Sequence, residues 1–205
     1  MRIDPARGAV AARVAVGGRP TGIAVDGSGT VWVGNLDGWV TRIDPATNAV
    51  LGKVAVPSGI SAPLVARGLV WLGLQNGTLV SVDPGSAMLT GRPVSVAQDV
   101  DAIVDTPSGL WVSTFAGTAA LVDPDARSVK RRIPLPGRGS GVAFAGGRVW
   151  VSDYDHRTVL GLDPASGTIL AAVHTGGQPR ESIVAGGVLW VCDQVDGTVT
   201  PIPVG

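Results

Sequence analysis

Five tryptophans, Trp32, Trp71, Trp111, Trp150 and Trp190, recur at spacings of 39, 40, 39 and 40 residues, each second in a short apolar run. A fixed period of that length restricts a chain to repeat architectures and has to be read before any local propensity. A second marker keeps the same beat: Ile3-Asp4-Pro5, Ile43-Asp44-Pro45, Val82-Asp83-Pro84, Val122-Asp123-Pro124 and Leu162-Asp163-Pro164. Two independent markers at one period establish five copies of one structural unit.

Within residues 20–58 the unit shows four extended runs, Gly22 to Val25, Thr30 to Gly34, Trp39 to Ile43 and Val50 to Val56. They are separated by Asp26-Gly27-Ser28-Gly29, Asn35-Leu36-Asp37-Gly38 and Asp44-Pro45-Ala46-Thr47-Asn48. In such turns glycine supplies positive φ and Asp-Pro presets the first corner of a type I turn. Each unit therefore reads as a four-stranded antiparallel meander, with no 3.6-residue periodicity to suggest helical repeats. The runs Val31-Trp32-Val33 and Val149-Trp150-Val151 do not alternate apolar with polar, so both faces of the sheet are expected to be buried. A four-stranded sheet sandwiched between two like it is the blade of a β-propeller, with the tryptophans as inter-blade packing.

Four units are complete, at about 20–59, 60–98, 99–138 and 139–178. The N-terminus adds a third-strand remnant, Arg2 to Asp4, and an outer strand, Ala9 to Val16. The C-terminus adds the first three strands of a blade, Ser182 to Ile202. The expectation is an all-β, single-domain propeller over 1–205, its ring closed by a blade shared between the termini, or else a fragment of a six- or seven-bladed protein. Both termini offer a third strand, and Pro201 and Pro203, which cannot donate to a ladder, impair the C-terminal one beyond Thr200.

Composition narrows the function classes. With 45% hydrophobic and 16% charged residues the chain can bury a core, and 30 glycines with 15 prolines suit many tight turns. Sixteen basic and 16 acidic residues cancel, so there is no global field to attract nucleic acid or an anionic membrane. No apolar run approaches the length of a membrane span, and Met1-Arg2-Ile3-Asp4-Pro5 does not read as a secretory leader. Cys192 is the single cysteine, so no intrachain disulfide forms. At the end of an apolar strand it reads as a small buried hydrophobe.

The segments Gly18-Arg19-Pro20-Thr21-Gly22-Ile23-Ala24-Val25, Thr30-Val31-Trp32-Val33-Gly34-Asn35 and Val40-Thr41-Arg42-Ile43-Asp44-Pro45-Ala46-Thr47-Asn48 resemble the repeats of bacterial YVTN-type (YncE-like) propellers and of the related streptogramin (virginiamycin B) lyase-like propellers. The resemblance covers essentially the whole chain and carries fold more than function. It implies an extracytoplasmic, periplasmic or secreted, bacterial protein. The lyase branch implies a metal-assisted elimination that opens a cyclic depsipeptide, with histidine and glutamate near the propeller axis. Where that pattern offers histidine after a proline, this chain has Thr21 and Arg180.

In a four-strand meander, inter-blade loops and second-to-third-strand loops share one face, and here they collect the polar residues that differ between repeats. The ligand-binding candidates are Asp101, Asp153, Tyr154, Arg180, Glu181 and Asp193. Asp101 and Glu181 read as occupying equivalent starts of inner strands. With Asp153 and Asp193, three residues after their tryptophans, they offer hard oxygens suited to Ca²⁺ or Mg²⁺, although solvated loop carboxylates are the simpler reading and neither metal nor cofactor is required. His156, within Asp153-Tyr154-Asp155-His156-Arg157, is a candidate general base that Asp155 or Asp153 could orient, and Glu181 is a separate catalytic candidate. His174 falls on an outer strand and is given no role. The five Asp-Pro aspartates read as turn caps.

The leading expectation is a non-catalytic binding or scaffold module for a protein, peptide or small molecule. The alternatives are a streptogramin-lyase-like enzyme and a calcium-dependent lactone or sugar hydrolase.

Overall fold

A computed structural model describes residues 1–204, which contain strands and no helix. Each of the four complete units forms one antiparallel meander. The first is Pro20–Val25 (β3), Val31–Asn35 (β4), Trp39–Ile43 (β5) and Val50–Ala55 (β6), following Arg2–Asp4 (β1) and Ala9–Ala12 (β2). The second is Ile60–Ala66 (β7), Leu69–Leu74 (β8), Thr78–Asp83 (β9) and Met88–Ser95 (β10); the third is Val100–Thr106 (β11), Gly109–Thr114 (β12), Thr118–Asp123 (β13) and Ser128–Pro134 (β14). The fourth is Gly139–Ala145 (β15), Arg148–Asp153 (β16), Thr158–Leu162 (β17) and Ile169–His174 (β18). Pro179–Ala185 (β19), Val188–Asp193 (β20) and Thr198–Pro203 (β21) make a three-stranded sheet. These are the blades of a β-propeller fold.

The turns carry out the chemistry their residues dictate. The Asp44 carboxylate accepts the Ala46 amide at 2.8 Å and the Thr47 hydroxyl at 2.7 Å. Four residues after each Asp-Pro aspartate the backbone enters the left-handed region, at Gly8, Asn48, Ala87, Arg127 and Gly167. Glycine and asparagine occupy that conformation at little cost, whereas alanine and arginine are strained in it. Asp26 closes the other turn, accepting the amides of Ser28 at 2.9 Å and Thr30 at 3.1 Å, and the Trp32 indole N–H at 2.8 Å.

The chain divides into two compact units: Met1–Leu72 with Ser81–Thr90, and Gly73–Val80 with the chain from Gly91 onward. In the second unit, Trp111 is packed with Ala119 and Leu121 of its own sheet against Val142, Val149, Val151, Leu160 and Leu162 of the next. Trp150 is packed likewise against Leu189, Val191, Ile202 and Val204. Burial of a ring that size is a dominant contribution to a core.

Three expectations are corrected. The outer strand at the N-terminus pairs with β1, Ile3 opposite Val10, while the sheet holding Trp190 stands with three strands, so the two parts of the expected shared blade are separate sheets. The third strand β21 also runs past Thr200 to Pro203. Its even-numbered residues face β20, as the Val204 amide shows by donating to Gly187 O at 3.2 Å, so Pro201 and Pro203 place their missing N–H groups on the free edge. Third, Cys192 is exposed, because the face of β20 that carries Trp190 and Cys192 is uncovered.

Candidate functional site

The second unit repeats one device at the start of each inner strand. Register shifts fall between Val100 and Ala102, between Gly139 and Val142, and between Pro179 and Ser182. Bulges of this kind re-aim side chains at functional rims. Each places a residue one position after the first pair of the ladder, namely Asp101, Ser140 and Arg180. Asp101 is therefore equivalent to Arg180, and Glu181 to Ala102, which corrects the pairing of Asp101 with Glu181 read from sequence.

The three residues meet because β11, β15 and β19 lie side by side. The Ser140 hydroxyl is 3.1 Å from Asp101 Oδ2 and 3.1 Å from the Arg180 carbonyl, and Arg180 Nη2 donates to Asp101 Oδ1 at 3.3 Å. Gly141 is what permits this approach, since a Cβ there would collide with the Arg180 carbonyl and come within 3.1 Å of Glu181 Cα. Burial pushes the Asp101 carboxyl up, against the opposing pull of the Arg180 guanidinium and the Ser140 hydroxyl. At Glu181 burial and then the Asp101 charge push in the same direction. Glu181 itself is open to solvent, which screens those effects, so Asp101 is the carboxylate whose environment matters.

A second repeated contact fixes the loops above. Four residues after the tryptophan, the amide of Phe115 donates to Asp99 O at 2.8 Å, that of Tyr154 to Arg138 O at 2.9 Å and that of Gln194 to Gln178 O at 2.9 Å. The Phe115 and Tyr154 rings meet at 5.6 Å between centroids. Arg138 lies over both, 4.8 Å from the Phe115 centroid and 4.7 Å from that of Tyr154, and Arg180 lies 4.9 Å from Phe115. Phe115 thus holds two guanidinium groups on its surface, cation–π contacts worth about 0.5–1 kcal/mol each where exposed. Asp155 holds Arg138 in place, accepting from Nε at 2.9 and 3.1 Å, and that bond keeps its carboxyl below the usual range. An open concavity of about 340 Å³ lies here, lined by residues that include Phe115, Leu135, Gly137, Arg138 and Asp155.

Of the residues proposed from sequence, Asp101, Arg180, Glu181 and Tyr154 are brought into this assembly. Asp153 and Asp193 are instead buried, at 1% and 2% exposure. Asp153 lies with both carboxylate oxygens 3.0 Å from His156 Nδ1. Asp193 accepts the Thr200 hydroxyl at 2.6 Å. No group of three or more His, Cys, Asp or Glu side chains capable of holding a metal occurs among the described residues. Phe115 is the member of the site that sequence reasoning missed; Arg138 and Ser140 were legible as polar inter-blade-loop residues of this face but not as binding candidates. The available signal was that Phe115 and Tyr154 share one repeat position, where the other repeats have Leu36, Gln75 and Gln194.

No protein-family model and no curated protein sequence matches the chain. Solved structures do. The crystal structure of the computationally designed Ika8 protein matches at a TM-score of 0.73 and 20% identity, covering 91% of this chain and 58% of that one. A chain in the crystal structure of the Mitotic Checkpoint Complex matches at 0.77 and 13% identity, covering 89% of this chain and 66% of that one. The chain spans about three fifths to two thirds of the length of these structures, and at such identities the likeness is one of fold: this is a β-propeller fold.

Proposed function

We propose that this protein is a non-catalytic binding module that holds a peptide or peptide-like segment of a partner on the face bearing Phe115, Tyr154, Arg138 and Arg180. The observation that carries the reading is the Phe115 ring bearing the guanidinium groups of Arg138 and Arg180, at 4.8 and 4.9 Å, beside the Tyr154 ring. Aromatic and arginine side chains dominate the energetics of protein recognition, and here the Arg138 and Arg180 guanidinium groups are held by Asp155 and Asp101. Asp101 and Glu181 add acceptors for a ligand amine or backbone N–H, so both signs of charge are offered, as a zwitterionic or peptide ligand requires. The protein complex in which one structural neighbour occurs agrees at the level of fold. The reading invokes neither metal nor cofactor.

The test is selection of peptides from a random displayed library on the wild-type chain, followed by affinity measurement on Phe115→Ala, Arg138→Ala and Asp163→Ala variants. Peptides should lose at least about tenfold in affinity on the first two and none on the third, which alters a turn aspartate. Absence of enrichment, or binding insensitive to Phe115 and Arg138, overturns the proposal.

A further inference from the structure

The outer strands of the four complete repeats part company at one stretch. Seven to nine residues after the Asp-Pro aspartate they read Leu51-Gly52-Lys53, Thr90-Gly91-Arg92 and Leu170-Ala171-Ala172, whereas β14 reads Lys130-Arg131-Arg132. The ladders fix the alignment: Gly52, Arg131 and Ala171 oppose Arg42, Leu121 and Gly161, which in turn oppose Trp32, Trp111 and Trp150. The chain as a whole carries no net charge, so this run of three cations is a local field. β14 is also the last strand of its sheet, and no strand among the described residues pairs the backbone N–H and C=O groups of its outer edge.

Most of the charge here is fixed in place without being neutralised. Arg132 lies across the end of the preceding outer strand, its Nε donating to Val96 O at 2.8 Å and its Nη2 to Ser95 O at 3.0 Å. Arg92 reaches the other way, its Nη2 donating to Ala126 O at 2.9 Å. Both guanidinium groups are held by carbonyls, which leave their charge uncompensated. Lys130 is the one member of the run that meets an acid, Asp123 at 3.0 Å. Arg131 is exposed and has no hydrogen-bond or ion-pair partner among the described residues. Strand geometry spaces these cations by about 3.3 Å along the edge, the rise at which residues of a strand laid beside β14 also repeat.

Cations on an edge strand blunt the pairing of like sheets. A second copy brought edge to edge sets Lys130, Arg131 and Arg132 against their own kind, whereas a strand of opposite charge finds cross-strand partners in the same three residues. We infer that the free edge of β14 is a second interaction surface, which takes up an acidic, extended segment of a partner protein as a fifth strand. Backbone pairing supplies the affinity and the three cations the selectivity. A nucleic acid or an anionic membrane meets the charges but has no use for the unpaired backbone, and β14 carries no aromatic ring on which a base could stack. The edge shares no residue with the Phe115 face and does not depend on the reading proposed for it.

Fluorescence anisotropy of the full chain with a labelled eight-residue peptide alternating glutamate and threonine tests this. The wild type should bind the peptide, more weakly as salt is added, and should ignore a peptide alternating lysine and threonine. Arg131→Glu should lose at least about tenfold in affinity, with its melting temperature unchanged because the side chain has no polar partner to lose. Phe115→Ala, and Lys53→Glu at the repeat position of Arg132, should bind as the wild type does. A glutamate peptide N-methylated at alternate residues keeps its charge but cannot pair as a strand, and should bind at least about tenfold more weakly. Amide hydrogen exchange in β14 should slow when the unmodified peptide is bound. Equal binding of the methylated peptide, or equally tight binding of an oligothymidylate or of phosphatidylserine vesicles, overturns the inference in favour of a general anion patch. No binding by the wild type overturns it too, and leaves the cations as a guard against association.

Discussion

Phe115 and Tyr154 stand four residues beyond Trp111 and Trp150 in successive repeats, and their rings meet at 5.6 Å with planes tilted by 58°. Neither ring belongs to the core clusters built around Trp111 and Trp150. A repeat scaffold recognises an asymmetric ligand through the positions at which its copies differ, and this is such a position. Replacing Phe115 by Ala should therefore cost less than about 2 kcal/mol of stability, since the ring is half-buried, while removing the surface that orients Arg138 and Arg180. Chemical denaturation and peptide affinity measured on one sample separate the two effects.

The tryptophans predict a stability contrast of their own. Trp111 is fully buried between two sheets, so Trp111→Ala should lose about 3–5 kcal/mol through lost burial and the cavity left behind. Trp190→Ala should cost markedly less because that ring already meets solvent. Urea midpoints for both variants decide the matter; equal losses would contradict the packing described.

Repeat geometry offers a stabilising substitution. Ala87 adopts φ 56° at the position that Gly8 and Gly167 occupy with φ 59° and 75°. The left-handed conformation costs an alanine about 1–2 kcal/mol, part of which glycine returns as extra freedom in the unfolded chain. Ala87→Gly should therefore raise stability by about 0.5–1 kcal/mol, visible as a higher melting temperature. A lower one would mean that the turn imposes no such strain.

The repeat, the strand order, the Asp-Pro caps and the face on which Asp101, Arg180 and Glu181 lie were legible from the sequence, because period and turn residues act locally. The pairing of Asp101 with Glu181 was a misalignment rather than a hidden feature: Asp101, Ser140 and Arg180 each stand ten residues before their tryptophan, and the bulge is common to all three inner strands. Burial of Asp153 and Asp193 was hidden, since a loop acid after a strand looks solvated until the partner side chains of His156 and Thr200 are placed. Trp190 and Cys192 defied the repeat for the opposite reason: their local sequence is that of a buried strand, yet the face of β20 that carries them is uncovered.

Two sets of carboxylates respond to acid with opposite sign. Asp44, Asp83, Asp123 and Asp163 are held below the ordinary value, Asp44 by the Thr47 hydroxyl, Asp83 and Asp163 by the amides of Ser86 and Ser166, and Asp123 by the Ala126 amide. Their contribution is present above the ordinary carboxylate value and is lost as the pH falls through the lowered one. Asp163→Ala should accordingly destabilise the protein at neutral pH and cease to matter in strong acid. Asp101 is displaced upward by burial, so its protonated form is favoured in the folded state, and the stability it contributes in acid is lost as the pH rises through its folded value. Asp101→Asn should thus gain on the wild type as the pH rises above the ordinary carboxylate value, in thermal melts at constant ionic strength. A difference that shrinks over that rise would show that the Arg180 ion pair outweighs burial.

The closest approach in the site rests on Gly141, and it supplies the sharpest test of whether the inner strands set the binding geometry. A methyl group at 141 meets the backbone of β19: the Arg180 carbonyl, the Ser182 amide at 3.0 Å and Glu181 Cα at 3.1 Å. None of these is the far end of a flexible side chain, so Gly141→Ala has to push β15 away from β19, and overpacking of that kind costs about 1–3 kcal/mol. Ser140 and Arg180 are carried by those two strands, so separation lengthens the contact of the Ser140 hydroxyl with the Arg180 carbonyl and draws Arg180 away from Asp101. Arg180 then loses its purchase over Phe115, whereas Arg138, anchored by Asp155, keeps its own. Gly141→Ala should consequently remain folded with a lowered melting temperature and bind selected peptides more weakly, while keeping the Arg138-dependent part of the affinity. If it bound them as tightly as the wild type, the inner-strand triad would be scaffolding and recognition would lie with Arg138, Phe115 and Tyr154 alone.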